Sequence, residues 1–298
     1  MKKLLVIIVA ILSGMVSLAQ SERDVYNSLR KTGLKSLDNH QYAKALVQFE
    51  GAKELYNTIE IQQDIKRVND SITAAYNRAK RVYNTYGNNA KQRAIVMFSE
   101  LLDVKTESYA YIGECYYLLG DTILARDYFE KGIVKNDALS AYWYALFLRK
   151  TKPKSSISQR ILLYKKVTTY VGVTDSLGIE YESLNKVDSA YFWYSKSTSI
   201  LSKYNRASLL LDTANNNELK GITEDPLKLL EEVANNTNDS NKTIRAQAAY
   251  YLGMLYRYRS KVKGDNNNIC GWQWIERAAN MGHIEAKRIL KNKNEYEK

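Results

Sequence analysis

Apolar residues recur every three or four positions along most of this chain, the spacing of one helix face. The clearest run is 108–134. Tyr109, Ile112, Gly113, Tyr116 and Leu119 share one face, Gly120-Asp121 breaks the run, and Ala125, Tyr128, Phe129, Gly132 and Ile133 make a second stripe. This predicts two short helices back to back. Gly113 and Ala125 would let their backbones approach closely, with Tyr116 and Phe129 filling the space beside them. Elsewhere the pattern predicts a helix through Val25, Leu29 and Leu37, a turn at Asn39-His40 and a helix over 42–56. A long helix over 59–86 follows, then a turn at 87–89 and a helix marked by Ala94, Phe98 and Leu101. Residues 137–171 are helical with Tyr142, Trp143, Leu146 and Phe147 inward; Pro153 breaks the run and Ser155-Ser156 can start another helix. The Asn-rich stretches 212–221 and 234–243 read as loops flanking a helix over 225–234, a boundary before a terminal module.

The spacing of 108–134 occurs twice more. Gly33 is followed by Ala45, Phe49 and Ala52, and Gly178 by Tyr181, Ala190, Tyr194 and Ser197, at the offsets seen after Gly113. This pattern resembles the tetratricopeptide repeat, a helix–turn–helix of about 34 residues. The marker glycines stand 80 and 65 residues apart, so one degenerate unit falls in each gap. A second pattern, Ala248, Leu252, Gly253 and Tyr256 followed by Trp274, Arg277, Ala278, Ala279, Gly282 and Ala286, resembles the Sel-one-like repeat. It departs from that repeat in having Arg277 for a Lys, Gly271 for an Ala and a longer inter-helix loop.

The resemblances imply an all-α, right-handed helical-repeat solenoid of about five tetratricopeptide-type pairs closed by a Sel-one-like pair. The expected organisation is a leader at 1–19, a repeat array over 20–211, a C-terminal helical module over 212–290 and a charged tail over 291–298. By analogy the first helix of each pair lines a concave groove that takes a peptide or a partner's helix. Arg30, Leu34, Glu114, Tyr117, Ile179 and Glu182 are the groove candidates, each equally readable as an ordinary surface residue. A glycan- or small-ligand-binding module, or an accessory subunit of an envelope enzyme or secretion complex, are the alternatives.

Composition narrows this picture. Two prolines and 14 glycines argue against a loop-rich all-β fold, and 24 tyrosines against 5 phenylalanines suit thin cores where a ring packs inward and its hydroxyl reaches water. Lys2 and Lys3, the apolar run 4–18 and the small residues before Gln20 read as a signal peptide cleaved after Ala19, with an uncleaved membrane anchor as the alternative. The expected location is therefore the periplasm. Cys115 and Cys270 could pair in such a compartment, but the place of Cys115 inside a first helix favours a buried free thiol.

Formal charge is +12, or +10 without Lys2 and Lys3, which favours anionic partners. Between Asp137 and Asp175 there is no acid, and Arg149, Lys150, Lys152, Lys154, Arg160, Lys165 and Lys166 mark a candidate anionic-partner face. Arg257, Arg259, Lys261 and Lys263 form a second acid-free cluster. The bland reading of both is a solvated basic surface. Acidic protein segments, lipid head groups and envelope polysaccharide fit such a face, while the leader argues against nucleic acid.

With only His40 and His283, neither a Cys/His nor a Ser/His/Asp nucleophile has its material, no ligands recur at metal spacing, and no phosphate-cradling loop is present. No enzyme activity, cofactor or metal is expected. The 265–268 run resembles a calcium loop but lacks its glycine and closing glutamate. Five Asp-Ser/Thr-apolar tripeptides, at Asp70, Asp121, Asp175, Asp188 and Asp212, resemble an O-glycosylation signal and equally suit helix starts.

Overall fold

A computed structural model describes residues 18–212, 218–237, 241–263 and 267–293, and among them every regular element is a helix. Most of the expected leader and of the charged tail lies outside the described residues, as do the side chains of 259–268 and with them the calcium-like run. The chain divides into two compact units, 1–151 and 152–298.

The first unit contains α1 (Leu18–Asp38), α2 (Tyr42–Leu55), α3 (Ile59–Tyr83), α4 (Asn88–Ser99), α5 (Ser108–Leu118), α6 (Thr122–Val134) and α7 (Ala138–Thr151). Each packs on the next in sequence, and α5 also touches α7, the helix that follows its partner α6. Three of the starts are set by side chains. Thr58 accepts from Ile61 N, Asp121 from Ile123 N and Leu124 N, and buried Asp137 from Ser140 N at 2.7 Å. Some of the ends are set by a residue in the left-handed region. His40 (φ 59°) and Gly120 (φ 90°) each stand seven residues after a marker glycine, and in the second unit Asn185 (φ 54°) does the same. The next amide, of Gln41, Asp121 or Lys186, bonds back to the carbonyl of Ser36, Tyr116 or Tyr181, which closes the helix.

The marker residues meet as the pattern requires. A Cβ placed on Gly33 would lie 2.5 Å from the Phe49 ring, on Gly113 2.8 Å from Phe129, and on Gly178 2.3 Å from Tyr194. All three rings and the intervening Ala45, Ala125 and Ala190 are fully buried. The absent side chain on one helix is therefore the space taken by the ring from its partner.

The second unit contains α8 (Ile157–Lys165), α9 (Val173–Glu182), α10 (Val187–Ser195), α11 (Ile200–Leu211), α12 (Pro226–Asn235), α13 (Lys242–Lys263), α14 (Asn267–Asn280) and α15 (Ile284–Lys291). Here the structure adds to the expectation. Ile200–Leu211 is a separate helix packed on Pro226–Asn235, with Ala207, Leu227 and Leu230 in one core. This further pair went unseen because it has no marker glycine and a long polar connection separates its halves. In the Sel-one-like pair the unusual Gly271 has a steric reason. A Cβ there would lie 2.9 Å from Gly253 O and still closer to Arg257, so two glycines let α13 and α14 touch backbone to backbone.

His283 opens the last helix. Its Nδ1 accepts from Ala286 N at 3.2 Å, so Nε2 carries the proton and donates to Gln247 Oε1 at 3.0 Å, with the ring stacked on Tyr250 at 4.3 Å. Burial lowers its pKa, opposed by Glu285. The unfolded chain thus binds a proton more readily than the folded one. The stabilisation is complete above the ordinary imidazole pKa and fades as pH falls through it toward the lowered folded value. His283→Ala is expected to lose about 1 kcal/mol at pH 8 and visibly less at pH 5, measured by denaturant titration. An equal loss at both values would remove the cap from this account.

Candidate partner-binding surfaces

In the first unit α3 and α5, the first helices of two pairs, and α7 are joined by rings. Tyr111 of α5 lies 5.1 Å from Tyr83 of α3 and 5.0 Å from Trp143 of α7, and Tyr83 and Trp143 stack at 6.2 Å. Tyr111 is buried while Tyr83 and Trp143 are half-buried, so these rings bind helix to helix and leave little open face. Burial pushes the Tyr83 phenol well above its ordinary range. Periodicity placed Trp143 on the inward side of its helix but had not singled out Tyr83 or Tyr111. Tyr76 and Tyr83, two turns apart on α3, were the available signal.

Beside this seam lies an accessible row. Glu114 is half-buried, and its pKa is raised by burial against the pull of Lys150 and Lys91. Tyr117, one turn on, meets the edge of Phe147 at 5.5 Å and carries the Lys150 ammonium 5.3 Å over its ring. Lys91 is tied down, donating to Tyr83 O and to Thr85 O at 3.1 Å while lying 4.7 Å over the Tyr83 ring. Those bonds also occupy the end of α3, which stops at Tyr83, short of the expected residue 86.

The other groove candidates are more occupied. Arg30 of α1 donates to Asp64 of α3 at 2.6 Å, an ion pair between neighbouring first helices. Leu34 packs on the core around Phe49. Ile179 packs on the Tyr194 core, and exposed Glu182 accepts the Tyr194 hydroxyl at 2.7 Å.

The basic interval divides between the units. In the first, Arg149 is half-buried and Lys150 exposed. In the second, Lys152, Lys154, Lys165 and Lys166 are exposed, with Lys165 5.6 Å over the Tyr181 ring. Arg160 corrects the expectation: it is 3% exposed, and its guanidinium holds both carboxylate oxygens of Glu180, itself 1% exposed. Its remaining nitrogen donates to Pro153 O at 2.8 Å and Ser156 Oγ at 2.6 Å. A buried, fully engaged guanidinium cannot belong to a partner face.

Both cysteines are free, Cys115 buried and Cys270 exposed. Burial pushes the Cys115 thiol up to about 12, which suppresses its thiolate. One thiol per folded chain should therefore react with a disulfide reagent at pH 8, and the second only in denaturant. Two rapid equivalents from the folded chain would contradict this. Of the tripeptide hydroxyls, Ser176 is buried, Ser71 and Ser189 are half-buried, Thr122 is exposed, and Thr213 lies outside the described residues. No three metal-ligating side chains cluster among the described residues, and no described helix is long and apolar enough to cross a membrane.

No protein-family profile matches the sequence, and no curated protein matches it. Solved structures do. A protective antigen of uropathogenic Escherichia coli strains, displaying an SLR fold, superposes with a TM-score of 0.56 at 16% identity, covering 94% of this chain and 68% of that one. The C-terminal part of a TPR repeat-containing protein from Cytophaga hutchinsonii gives 0.50 at 18% identity, covering 87% and 98%. The chain has the all-α helical-repeat fold of tetratricopeptide and Sel-one-like proteins.

Proposed function

We propose that this protein is a non-enzymatic binding scaffold of the bacterial cell envelope, exported by the leader before Gln20, with a peptide or partner helix seated against the first helices of its pairs. The observation that carries this is the row Glu114–Tyr117–Lys150. On the neighbouring helices α5 and α7 it combines a half-buried carboxylate, an aromatic ring and an exposed ammonium beside a seam of rings that holds the helices rigid. Rigid placement of mixed polar and aromatic groups lowers the ordering cost of binding an extended segment. The rings of the seam are packed on each other, which supports a protein ligand over a sugar stacked on open aromatic faces. In the first unit Arg149 and Lys150, and in the second Lys152, Lys154, Lys165 and Lys166, remain proposed contacts for an anionic partner, without Arg160.

Immobilised full chain should retain a defined set of envelope proteins. A Glu114→Lys, Tyr117→Ala variant should lose members of that set, and neutralising the six basic residues should lose its acidic members. An unchanged set with both variants would sink the reading.

A further inference from the structure

We infer that α13, the first helix of the Sel-one-like pair, docks an acidic amphipathic helix from a protein partner. This rests on the scaffold reading and adds to it a particular helix and a partner chemistry.

Two independent observations meet on α13. The first is an exposed apolar row. Tyr251, Met254 and Tyr258 are 39%, 37% and 69% exposed, while Ala248, Ala249 and Leu252 of the same helix are buried. Steps of three and four residues put the row on one face. Tyr204 of α11 stacks on Tyr251 with centroids 6.1 Å apart and planes 20° from parallel, so the row continues onto the neighbouring first helix.

The second is charge. Over its length α13 carries Lys242, Arg245, Arg257, Arg259, Lys261 and Lys263 and not one Asp or Glu. The preceding first helix, α11, is also without an acid. Its cations are met from elsewhere: Glu232 pairs with Lys203 at 2.6 Å and Glu224 with Arg206 at 2.9 Å. Glu231, the other α12 acid, accepts the Tyr256 hydroxyl at 2.8 Å. Arg257 turns inward onto the Trp272 ring, 3.9 Å away. The carboxylates of α12 are thus engaged, and the exposed row belongs to a helix whose own charge is uniformly positive.

A partner helix with apolar residues three, four and seven apart would cover the row, and Asp or Glu on its flanks would answer the charge. A basic helix of the same apolar pattern would meet repulsion, so charge selects among otherwise equivalent helices.

The test pans a phage library of random peptides, long enough at about 15 residues to form a helix, against the full chain. Enriched peptides are then titrated by fluorescence anisotropy. The inference expects net-acidic peptides with apolar residues at helical spacing. Binding should weaken about tenfold with Tyr251→Ser, Met254→Ser and Tyr258→Ser together, weaken further with added salt, and be unaffected by Glu114→Lys, Tyr117→Ala. Circular dichroism checks folding, and Tyr258→Ser alone serves if the triple variant is unfolded. Basic or uncharged peptides, or binding insensitive to α13 substitutions, would overturn the inference. So would α13-dependent sedimentation with phosphatidylglycerol vesicles and no enriched peptide, or α13-dependent self-association in light scattering. Peptides lost through Glu114→Lys, Tyr117→Ala alone would leave the scaffold reading standing without this inference. A chain that enriches no peptide and retains no envelope protein would remove both.

Discussion

Glu180→Gln should destabilise the protein by about 3–5 kcal/mol, because it leaves the Arg160 guanidinium buried without its counter-charge. Arg160→Met should cost a similar amount by stranding the Glu180 carboxylate. The pair ties α8 to α9, and the third guanidinium nitrogen holds the carbonyl of Pro153 and the hydroxyl of Ser156, so the connection leading into α8 is fixed by the same side chain. Little water reaches either partner to offset its loss, with 3% and 1% of these residues exposed. The double variant Arg160→Met, Glu180→Met should be less destabilised than either single change, since two apolar chains remove both desolvation penalties together. Scanning calorimetry is the measurement, with a drop on the order of 10 °C expected for each single variant. Two single variants melting within a degree of the parent would mean the pair is solvated and the burial wrong.

That pair also shows where sequence reasoning reached its end. Arg160 lies in an interval with no acid, and its partner stands 20 residues on, past the interval's edge and on the next helix. A window of like charge along the chain resembles a basic face whether or not its members point outward, and only the packing of α8 on α9 separates Arg160 from Lys165 and Lys166. Local chemistry was more legible. Gly33, Gly113 and Gly178 were identifiable because close helix approach excludes a side chain, and each proved to face the aromatic residue sixteen positions later. The Ser156 helix start followed from the same short-range rules. The Tyr83–Tyr111–Trp143 seam did not, because its rings come from three helices and its contacts lie far outside any helical period. The α11–α12 pair was missed for a related reason: close packing there uses Ala207 and leucines, which carry no positional signature.

The second large effect is expected at Phe129. The ring is fully buried, lies over Gly113 of the paired helix and reaches Tyr144 and Phe147 of α7, at 6.0 and 5.8 Å. Phe129→Ala therefore removes a contact within one helix pair and a contact to the next, and should cost about 3–5 kcal/mol. Gly113→Ala approaches the same space from the other side. Its methyl would sit 2.8 Å from two ring atoms and 3.1 Å from Ala125 O, so the ring must move. Overpacking of this kind costs about 1–3 kcal/mol, partly offset by the roughly 1 kcal/mol that Ala gains over Gly inside a helix. Because the methyl and the ring compete for one volume, Gly113→Ala combined with Phe129→Leu should be milder than the sum of the single changes. In a repeat array such a loss spreads to the neighbours, since each pair is stabilised through its interfaces. Hydrogen exchange should then show faster exchange in α5 and α7 as well as α6, with α1 and α2 least affected. Additive single and double effects in denaturant titration, or exchange confined to α6, would show that ring and glycine do not share that volume.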